Sequence, residues 1–470
     1  MRLRRLILGG LLVFTFVFAA YAFEHMFPPQ PYGIADDWRV FYAASTVVQH
    51  GGNPYDPATI HAAEQAAERY QHVQPSLDDF TDLPVVALLL RAVTWLPFWP
   101  SYAVFTLLGA AVAAGVLWIW MREAGWTTRA VWLLGGMASW PVLLGVFSGQ
   151  FDFLLLSGTV GSLLLMRRDR PVAAGLCMAA VLLKPHLLWP LPLLLFNGWL
   201  VDPRRAWRFA AATVAVLGAG TLAGFLFVPQ SAGFLGHVLG FGSRVGSDQP
   251  DLSGLPGMVL HLPGGAAAAV AVAALGIVAV VALAVRAGRT ARRRVLDPDQ
   301  RALITLAGLA VWLALTPYAH PNDDVLLFPL VVLLLGQNAR EISGRALAYG
   351  VVAAAGVAAA FIASALLGYA VVVAGAAGLA LEWRQLTPEE VATAGLAGLA
   401  ILPAIWPFHV LQAPVTPVAV ALIALAAILR VRASLGATPA SAGQGKGSGR
   451  VGGVVVEAAP ALAPQAAGRH

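Results

Sequence analysis

The sequence predicts an all-α protein, a polytopic transmembrane bundle of about 12 spanning helices, roughly 11 to 14. Hydrophobic residues make up 59% of its 470 residues and charged residues only 11%. Soluble domains are about 45–50% apolar and ~25% charged, so water is a poor solvent for this chain. Apolar runs of spanning length recur, with short arginine clusters between them. These clusters explain the net charge of +6, because positive residues between apolar runs orient membrane helices. The net charge is therefore no sign of a nucleic-acid partner.

The first apolar run begins behind Arg4-Arg5 and continues to Ala22. We expect an uncleaved first helix with its basic end in the cytoplasm, because many further spans follow. A cleavable signal peptide is the alternative, since Ala20-Tyr21-Ala22 resembles a cleavage site.

A polar outer loop is expected over residues 23–82. Within it, carboxylates at the start and Gly51-Gly52 at the end predict a short helix from Asp37 to His50. Asp56 then reads as an N-cap before a proline, so a second short helix is predicted to run to about Tyr70. The apolar segment Leu83 to Phe98 is either re-entrant or interfacial, or a short span.

The remaining apolar runs define the other expected spans. The run over 171–200 contains Lys184-Pro185-His186 at its centre, and a charge in hydrocarbon costs several kcal/mol. Two tilted helices that meet at a polar elbow avoid this cost. Spans are expected near 101–121, 129–147, 151–166, 207–228, 264–286, 302–318, 324–337, 346–366, 369–382, 391–410 and 414–430.

The arginine clusters predict the orientation. Placing them all in the cytoplasm gives a consistent alternation with both termini inside. The other side then receives the 23–82 loop, Gly149 to Asp152, Lys184 to His186, the 229–262 loop and His320 to Asp324. This co-location predicts one extracytoplasmic functional face. Residues 1–432 form the expected membrane domain, and the Ala-, Gly-, Ser- and Pro-rich segment 433–470 is expected to be a disordered cytoplasmic tail.

Two of the polar elements could carry chemistry directly. Asp36 or Asp37 could act as a general base, or could simply cap a helix. Lys184 could hold a phosphate at the elbow, or could extend to lipid headgroups. His186 beside it reads as a packed polar residue or as a further donor.

Three further elements could bind sugars or phosphate. The segment that ends in His320, Asp323 and Asp324 could bind phosphate, sugar hydroxyls or a divalent metal, or be a plain polar loop. No ligand spacing supports the metal, and we expect no cofactor. Candidate hydroxyl-binding side chains in the other two elements are Gln150, Asp152, Asp248 and Gln249.

The order of these elements resembles glycosyltransferase family 87, membrane mannosyltransferases of the GT-C class. The resemblance covers about 20–430 and is carried by the following elements, in chain order: Asp37 to Tyr42, Gly52-Asn-Pro-Tyr55-Asp56, Gly149-Gln150, Gly175 to Lys184-Pro185, and Thr316-Pro317 to His320. The chain departs from the family pattern at Asp82-Leu83-Pro84, where an aromatic-Pro-Pro element is common, and at Asp152, where asparagine is common.

The resemblance implies a GT-C-type bundle in the cell membrane. Such an enzyme transfers a sugar, usually mannose, from a polyprenyl-phosphate donor to a glycolipid or cell-surface glycan, with inversion. It implies that Asp37 is the base, with Asp36 in reserve. The leaving phosphate needs a cation, and Lys184, His320 and His186 are the cationic or donor groups available on that face to bind it. Tyr42 and Tyr55 join the sugar- and acceptor-binding set through the same motifs.

Three alternatives remain open from the sequence. Polyprenyl-phosphate arabinose could be the donor, which would make the protein an arabinofuranosyltransferase. A transporter or flippase for lipid-linked sugars would also need many helices, although we find no internal repeat of the kind transporters show. A non-catalytic assembly protein with the same fold would tolerate loss of Asp37.

Overall fold

The fold of the described part of the chain is entirely helical. The structure is a computed structural model, and it describes residues 35–67, 79–137, 139–200, 202–236, 252–260, 264–336, 387–388, 391–392, 396 and 409–436. Within these residues there is no β-strand. The expected first helix, the spans near 346–366 and 369–382, most of the span near 391–410, and residues 437–470 of the expected tail lie outside the described residues.

The first half of the fold contains eleven helices among the described residues. They are α1 (Asp36–Gln49), α2 (Pro57–Ala67), α3 (Pro84–Thr94), α4 (Phe98–Trp120), α5 (Trp126–Met137), α6 (Trp140–Ser148), α7 (Asp152–Arg167), α8 (Pro171–Leu176), α9 (Pro185–Leu188), α10 (Pro190–Trp199) and α11 (Pro203–Phe227). A 3₁₀ segment, Cys177–Leu182, continues α8.

The second half is described less continuously. Its helices are α12 (Leu255–Leu260), α13 (Gly265–Arg293), α14 (Pro298–Leu315), α15 (Phe328–Val331) and α16 (His409–Gly436). A 3₁₀ turn, Asp323–Leu327, precedes α15, and a π-helical turn, Val332–Gly336, follows it. The chain divides into two compact units, Met1–Val431 and Arg432–His470. Of the second unit the structure describes only the end of α16.

Four helices of the described part are long and apolar enough to cross a membrane. They are Phe98–Trp120, Pro203–Phe227, Gly265–Arg293 and Thr416–Leu435. Most of their apolar surface is exposed on the outside of the protein. Val214 and Leu222 on α11, for example, are 70% and 58% exposed. Such a surface is stable in hydrocarbon and unfavourable in water. The protein is therefore a membrane protein, and the total of about 12 spans stays a prediction.

Several expected spans are interrupted helices. The run over 129–147 forms α5 and α6, and the run over 171–200 forms α8 to α10, with the break at the predicted elbow. Helix α3 has 11 residues, about 16 Å, which is short against a hydrocarbon core of about 30 Å. Helix α3 alone therefore does not cross a membrane of ordinary thickness.

Prolines explain where the chain leaves helical geometry. Proline disfavours the α conformation in the residue before it and has no N–H to donate. Lys184 accordingly has φ −140° and ψ 78° before Pro185. Thr316 has φ −71° and ψ 141° before Pro317, and Leu83 has φ −56° and ψ 143° before Pro84. These three non-helical residues lie in or next to the polar segments that form the site described below.

Helix α1 is fixed against α2, α3 and α4. Its observed bounds, Asp36–Gln49, agree with the prediction to one residue at each end. The Ser45 and Thr94 hydroxyls are 2.7 Å apart, and Trp38 Nε1 donates to Ser101 Oγ at 3.3 Å. Buried hydrogen bonds of this kind hold α1 and its first-turn carboxylates in one position.

Candidate active site

Lys184 is the centre of a buried charge network. The side chain is only 6% exposed. Its Nζ atom lies 2.7 Å from Asp323 Oδ1 and 3.7 Å from Asp152 Oδ1. A buried ammonium needs such partners because its desolvation is otherwise unfavourable by several kcal/mol. Three predicted site residues, far apart in the chain, therefore meet at the elbow before α9.

The two carboxylates have further partners that fix their orientation. Asn322 Nδ2 donates to both oxygens of Asp152, at 3.2 and 3.1 Å. The backbone N–H of His320 donates to Asp323 Oδ2 at 2.9 Å. The network therefore joins the start of α7, the elbow and the segment after α14 into one rigid polar unit.

Asp37 lies in the first turn of α1, near this network. Its carboxylate is half-buried and accepts no hydrogen bond from the described residues. It lies within electrostatic range of Lys184, Asp152 and Asp82. A carboxylate that is held in place but not capped by a donor is available to accept a proton.

Asp36 has a different environment from its neighbour. Its Oδ1 atom lies 2.8 Å from Arg39 Nη2, and Arg39 Nε lies 3.9 Å from the fully buried Glu64. This ion-paired cluster joins α1 to α2. The arrangement gives Asp36 a structural partner, whereas Asp37 is the member of the two that acts electrostatically on Lys184.

A backbone feature holds the start of α1 in place. Ala35, directly before the helix, has φ +67°, a left-handed conformation that alanine seldom adopts. Its N–H donates to Phe147 O at 2.5 Å. Strain of this kind persists only where the surroundings enforce it, and here it lies two residues before Asp37.

Asp82 is a site residue that the sequence reasoning did not predict. Burial raises its pKa to about 7; the Lys184 ammonium acts in the opposite direction and the Asp37 carboxylate in the same direction. Its backbone carbonyl accepts a hydrogen bond from the Tyr55 hydroxyl at 2.8 Å. Tyr55, a sugar-binding candidate from the sequence, is itself buried against Phe80 and positions the Asp82 segment.

An aromatic edge lines the same region. Tyr318 lies between two imidazoles, with ring centroids 5.6 Å from His186 and 4.9 Å from His320. The His186 side chain is exposed, and its backbone carbonyl accepts from Trp312 Nε1 at 2.7 Å. Tyr318 lies within the Thr316-Pro317 to His320 motif. Its position between the two histidines is what identifies it as a site residue.

The other predicted residues are placed as follows. The Tyr42 hydroxyl donates to Leu96 O at 3.2 Å, which ties it to the α3–α4 connection. Gln150 lies beside the site, and its Oε1 is buried without a hydrogen bond from the described residues. Asp324 is buried next to Ser253, with both carboxyl oxygens shielded from solvent. Asp248 and Gln249 lie outside the described residues.

The segment ending at Asp324 contains His and Asp side chains, which are residue types that can bind a metal. Among the residues that the structure describes, no group of three or more His, Cys, Asp or Glu side chains has an arrangement that could hold a metal ion.

An apolar groove of about 300 Å³ opens next to the charge network. It lies between α3, α4, α7 and the 3₁₀ segment before the elbow. Its lining ends at Leu183, the residue before Lys184. The groove is lined by Val86, Leu89, Leu90, Val93, Phe105, Phe151, Leu154, Ala179, Ala180 and Leu183. A polar site with an adjoining apolar groove suits a ligand that has a charged head and a hydrocarbon chain.

Comparison with protein families identifies the protein class. The profile of glycosyltransferase family 87 matches residues 80–317, just over half of the chain. The chain belongs to glycosyltransferase family 87. It is therefore a membrane glycosyltransferase, and the predicted resemblance is confirmed. Comparison with curated proteins finds no match.

The matched part of this family 87 glycosyltransferase contains some site residues and adjoins others. Asp82, Asp152 and Lys184 lie within residues 80–317. Asp37 precedes the matched part, and Tyr318 and Asp323 follow it. Asp323 and Tyr318 join the site through the contacts described above, and Asp37 joins it through its electrostatic interaction with Lys184.

Proposed function

We propose that this glycosyltransferase moves mannose from a polyprenyl-phosphate donor to a hydroxyl of a lipid-linked or cell-surface glycan, with inversion. One observation carries the proposal. In a family 87 member, a half-buried Asp37 carboxylate lies within electrostatic range of Lys184, which pairs with Asp323, and an apolar groove is lined by Leu183, the residue before Lys184.

Asp37 would act as the general base. Its carboxylate takes the proton from the acceptor hydroxyl as the hydroxyl oxygen forms a bond to the anomeric carbon of the donor. The bond from that carbon to the phosphate oxygen breaks, and the polyprenyl phosphate leaves with the electron pair. A single displacement inverts the anomeric centre and requires one base on the acceptor side.

Lys184, His186 and His320 would receive the leaving phosphate. Lysine has three N–H donors, and among the described residues Lys184 makes a close contact only with Asp323, since its distance to Asp152 is 3.7 Å. The exposed His186 and the neighbouring His320 lie around Tyr318, at the more open side of the network. Positive charge and donors placed before the reaction stabilise the charge that develops on the phosphate.

The apolar groove would hold the first isoprene units of the donor. Burial of apolar surface contributes about 25 cal/mol per Å², so a prenyl chain in the groove adds affinity without directional contacts. The sugar and phosphate would then be the only donor parts within the polar site.

Residues around the network would bind the sugar and the acceptor. Asp152 and Asp323 retain lone pairs beside their existing hydrogen bonds, and Gln150 Oε1 is unengaged among the described residues. Tyr42, Tyr55, Asp324, Asp248 and Gln249 complete the proposed set, with Tyr55 acting through the Asp82 segment.

We place the site on the extracytoplasmic face of the cell membrane, with both termini in the cytoplasm. The support is the charge distribution. Carboxylates gather at the Asp152 end of α7, and arginines gather at the Arg167 end, as expected for a cytoplasmic boundary.

The proposal is tested by sugar transfer in membranes that contain the full chain. Labelled polyprenyl-phosphate-mannose is supplied, and label in glycolipid is measured for wild type, Asp37→Asn and the matched control Asp36→Asn. Loss of a general base lowers the rate by about 10²- to 10⁴-fold, so only Asp37→Asn should lose transfer. Equal loss in both variants would contradict the assignment of the base.

A second donor separates the alternatives. Transfer from labelled polyprenyl-phosphate arabinose, with none from the mannose donor, would make the protein an arabinofuranosyltransferase. Movement of an intact labelled donor across sealed vesicles, without transfer to an acceptor, would identify a flippase. An active Asp37→Asn variant would overturn the proposed mechanism.

A further inference from the structure

A second cavity lies at the opposite end of the helices that carry the site. Helix α7 begins at Asp152, in the charge network, and ends at Arg167, which lines this cavity of about 270 Å³. The 16 residues of α7 separate the two places by roughly 22 Å along its axis. The cavity is therefore distinct from the candidate active site.

Arginines outnumber carboxylates in the lining of this cavity. Arg167, Arg205 and Arg301 line it together with one acid, Asp169. The surrounding segments 167–170, 202–208 and 292–301 contain ten arginines and four acidic residues. The positive charge at this end thus exceeds what the ion pairs with acidic neighbours neutralise.

Two of the arginines are held in fixed positions. Arg301 donates from Nη1 to Trp199 O at 2.8 Å and from Nε to Leu296 O at 3.0 Å. Arg167 is paired with Asp299 and lies 4.2 Å from the centre of the Trp120 ring. Its side chain is nine-tenths buried, and its Nε has no hydrogen-bond partner among the described residues.

Arg205 is the adaptable member of the group. It pairs with Asp169 at 2.9 Å and approaches Asp202 at 3.5 Å, and its side chain is 52% exposed. An exposed ion pair of this kind contributes little to stability, so Arg205 can turn to an anionic ligand without great loss. Guanidinium groups match the geometry of phosphate oxygens by paired hydrogen bonds.

The position of the cavity indicates what kind of phosphate-bearing ligand could reach it. It lies where α4 ends and α11 begins, two helices that are apolar enough to span a membrane, and therefore at the depth of lipid headgroups. Trp199 lines it, and α11 carries exposed apolar side chains further along, among them Trp207 and Val214, which are 74% and 70% exposed. Basic pockets between membrane helices at this depth bind phospholipid heads.

We propose that this cavity binds the phosphate head of an anionic phospholipid, with the acyl chains lying along the exposed face of α11. Its volume accommodates a phosphate with its glycerol and not a whole lipid. The lipid bridges the ends of α7, α10, α11 and α14 and thereby stabilises the half of the protein that lies away from the active site.

The test uses the purified full chain in nanodiscs of phosphatidylcholine, with phosphatidylglycerol added in steps. Retention of lipid is measured by native mass spectrometry, and the unfolding midpoint is measured in parallel. Wild type should retain a phosphatidylglycerol and gain stability. Arg205→Gln should bind it about fivefold more weakly, the effect expected for one arginine near a charged lipid surface.

Two controls make the outcome decisive. Arg289→Gln removes the same charge from an exposed position on α13 that does not line the cavity, and it should leave lipid retention unchanged. Millimolar inorganic phosphate, added without phosphatidylglycerol, should not reproduce the stabilisation. The proposal is overturned if phosphatidylglycerol has no effect, if Arg289→Gln weakens binding equally, or if free phosphate stabilises the protein as well as the lipid does.

Discussion

The Nζ atom of Lys184 lies 2.7 Å from Asp323 Oδ1, and the two residues are 139 positions apart in the chain. Lys184 directly precedes Pro185, and Asp323 follows Pro317 and Pro321, so the ion pair joins two proline-induced breaks in the apolar bundle. Lys184 is also the only lysine in residues 1–432, where every other basic side chain of the Lys/Arg type is arginine. A compact ammonium with three donors can contact Asp323 and still approach Asp152.

Removal of the Lys184 ammonium should destabilise the protein. Lys184→Met leaves two buried carboxylates without their cation, and breaking a buried pair in this way costs about 3–5 kcal/mol. The unfolding midpoint of the purified variant should fall clearly below that of wild type. The double variant Lys184→Met/Asp323→Asn should recover a good part of the loss, because one uncompensated charge is gone. If the loss of stability in the double variant equals the sum of the losses in the two single variants, Lys184 and Asp323 are not coupled.

The sequence predicted the parts of this arrangement that depend on local signals. The Lys184-Pro185 elbow followed from a charge and a proline inside an apolar run, and α1 followed from its terminal residues. The pairing of Lys184 with Asp323 had no local signal, because it depends on how two distant segments pack. The predicted orientation of the helices indicated only that the two segments lie on the same side of the membrane.

Asp82 shows the limit of such reasoning more clearly. An aspartate before Leu83-Pro84 reads as an ordinary loop residue and as a departure from the family pattern. Its membership of the site arises from the burial of its segment by Tyr55 and from the approach of α1, which brings Asp37 close. Neither the hydrogen bond nor the proximity of the two carboxylates leaves a pattern in the sequence.

Asp82 should make the stability of the protein depend on pH between about 4 and 7. Burial raises its pKa in the folded state to about 7, against the action of Lys184 and with that of Asp37, whereas the unfolded chain titrates near 4. The folded state then binds more protons in this interval, so stability falls as pH rises through it. Asp82→Asn should flatten the change in unfolding midpoint from pH 5 to 8 and be more stable than wild type at pH 8.

Asp56→Asn is the matched control for that measurement. Hydrogen bonds from the Thr59 side chain and backbone lower the pKa of Asp56, so its contribution to stability is lost only when the pH falls below about 4. The slope between pH 5 and 8 should therefore persist in Asp56→Asn. A slope that survives in Asp82→Asn would assign the titration to another group.

The groove beside the elbow should determine the use of long-chain donors. Leu89 lines the groove and is 54% exposed, so Leu89→Trp should fill the groove without disturbing the fold. We expect a severalfold higher KM for a long polyprenyl donor, with kcat unchanged and with little effect on a donor of two isoprene units. Leu107→Trp, at a 70% exposed position of α4 outside the groove, is the control. An equal effect on both donors would exclude a chain-binding role.

Gly149 should not tolerate a side chain. It ends α6 with φ +77°, a conformation that favours glycine, and a Cβ added there would lie 2.6 Å from the Cβ of Trp38. Gly149→Ala therefore strains the backbone and pushes α1 away from the start of α7. Both the unfolding midpoint and sugar transfer should fall, because the displacement moves Asp37 relative to Lys184.

Gly115→Ala provides the contrast within α4, where an added Cβ meets nothing within 4 Å and alanine favours the helix by about 1 kcal/mol. That variant should unfold at or above the wild-type midpoint with unchanged transfer, and a comparable loss in both variants would show that the effect of Gly149→Ala does not arise from its contact with Trp38.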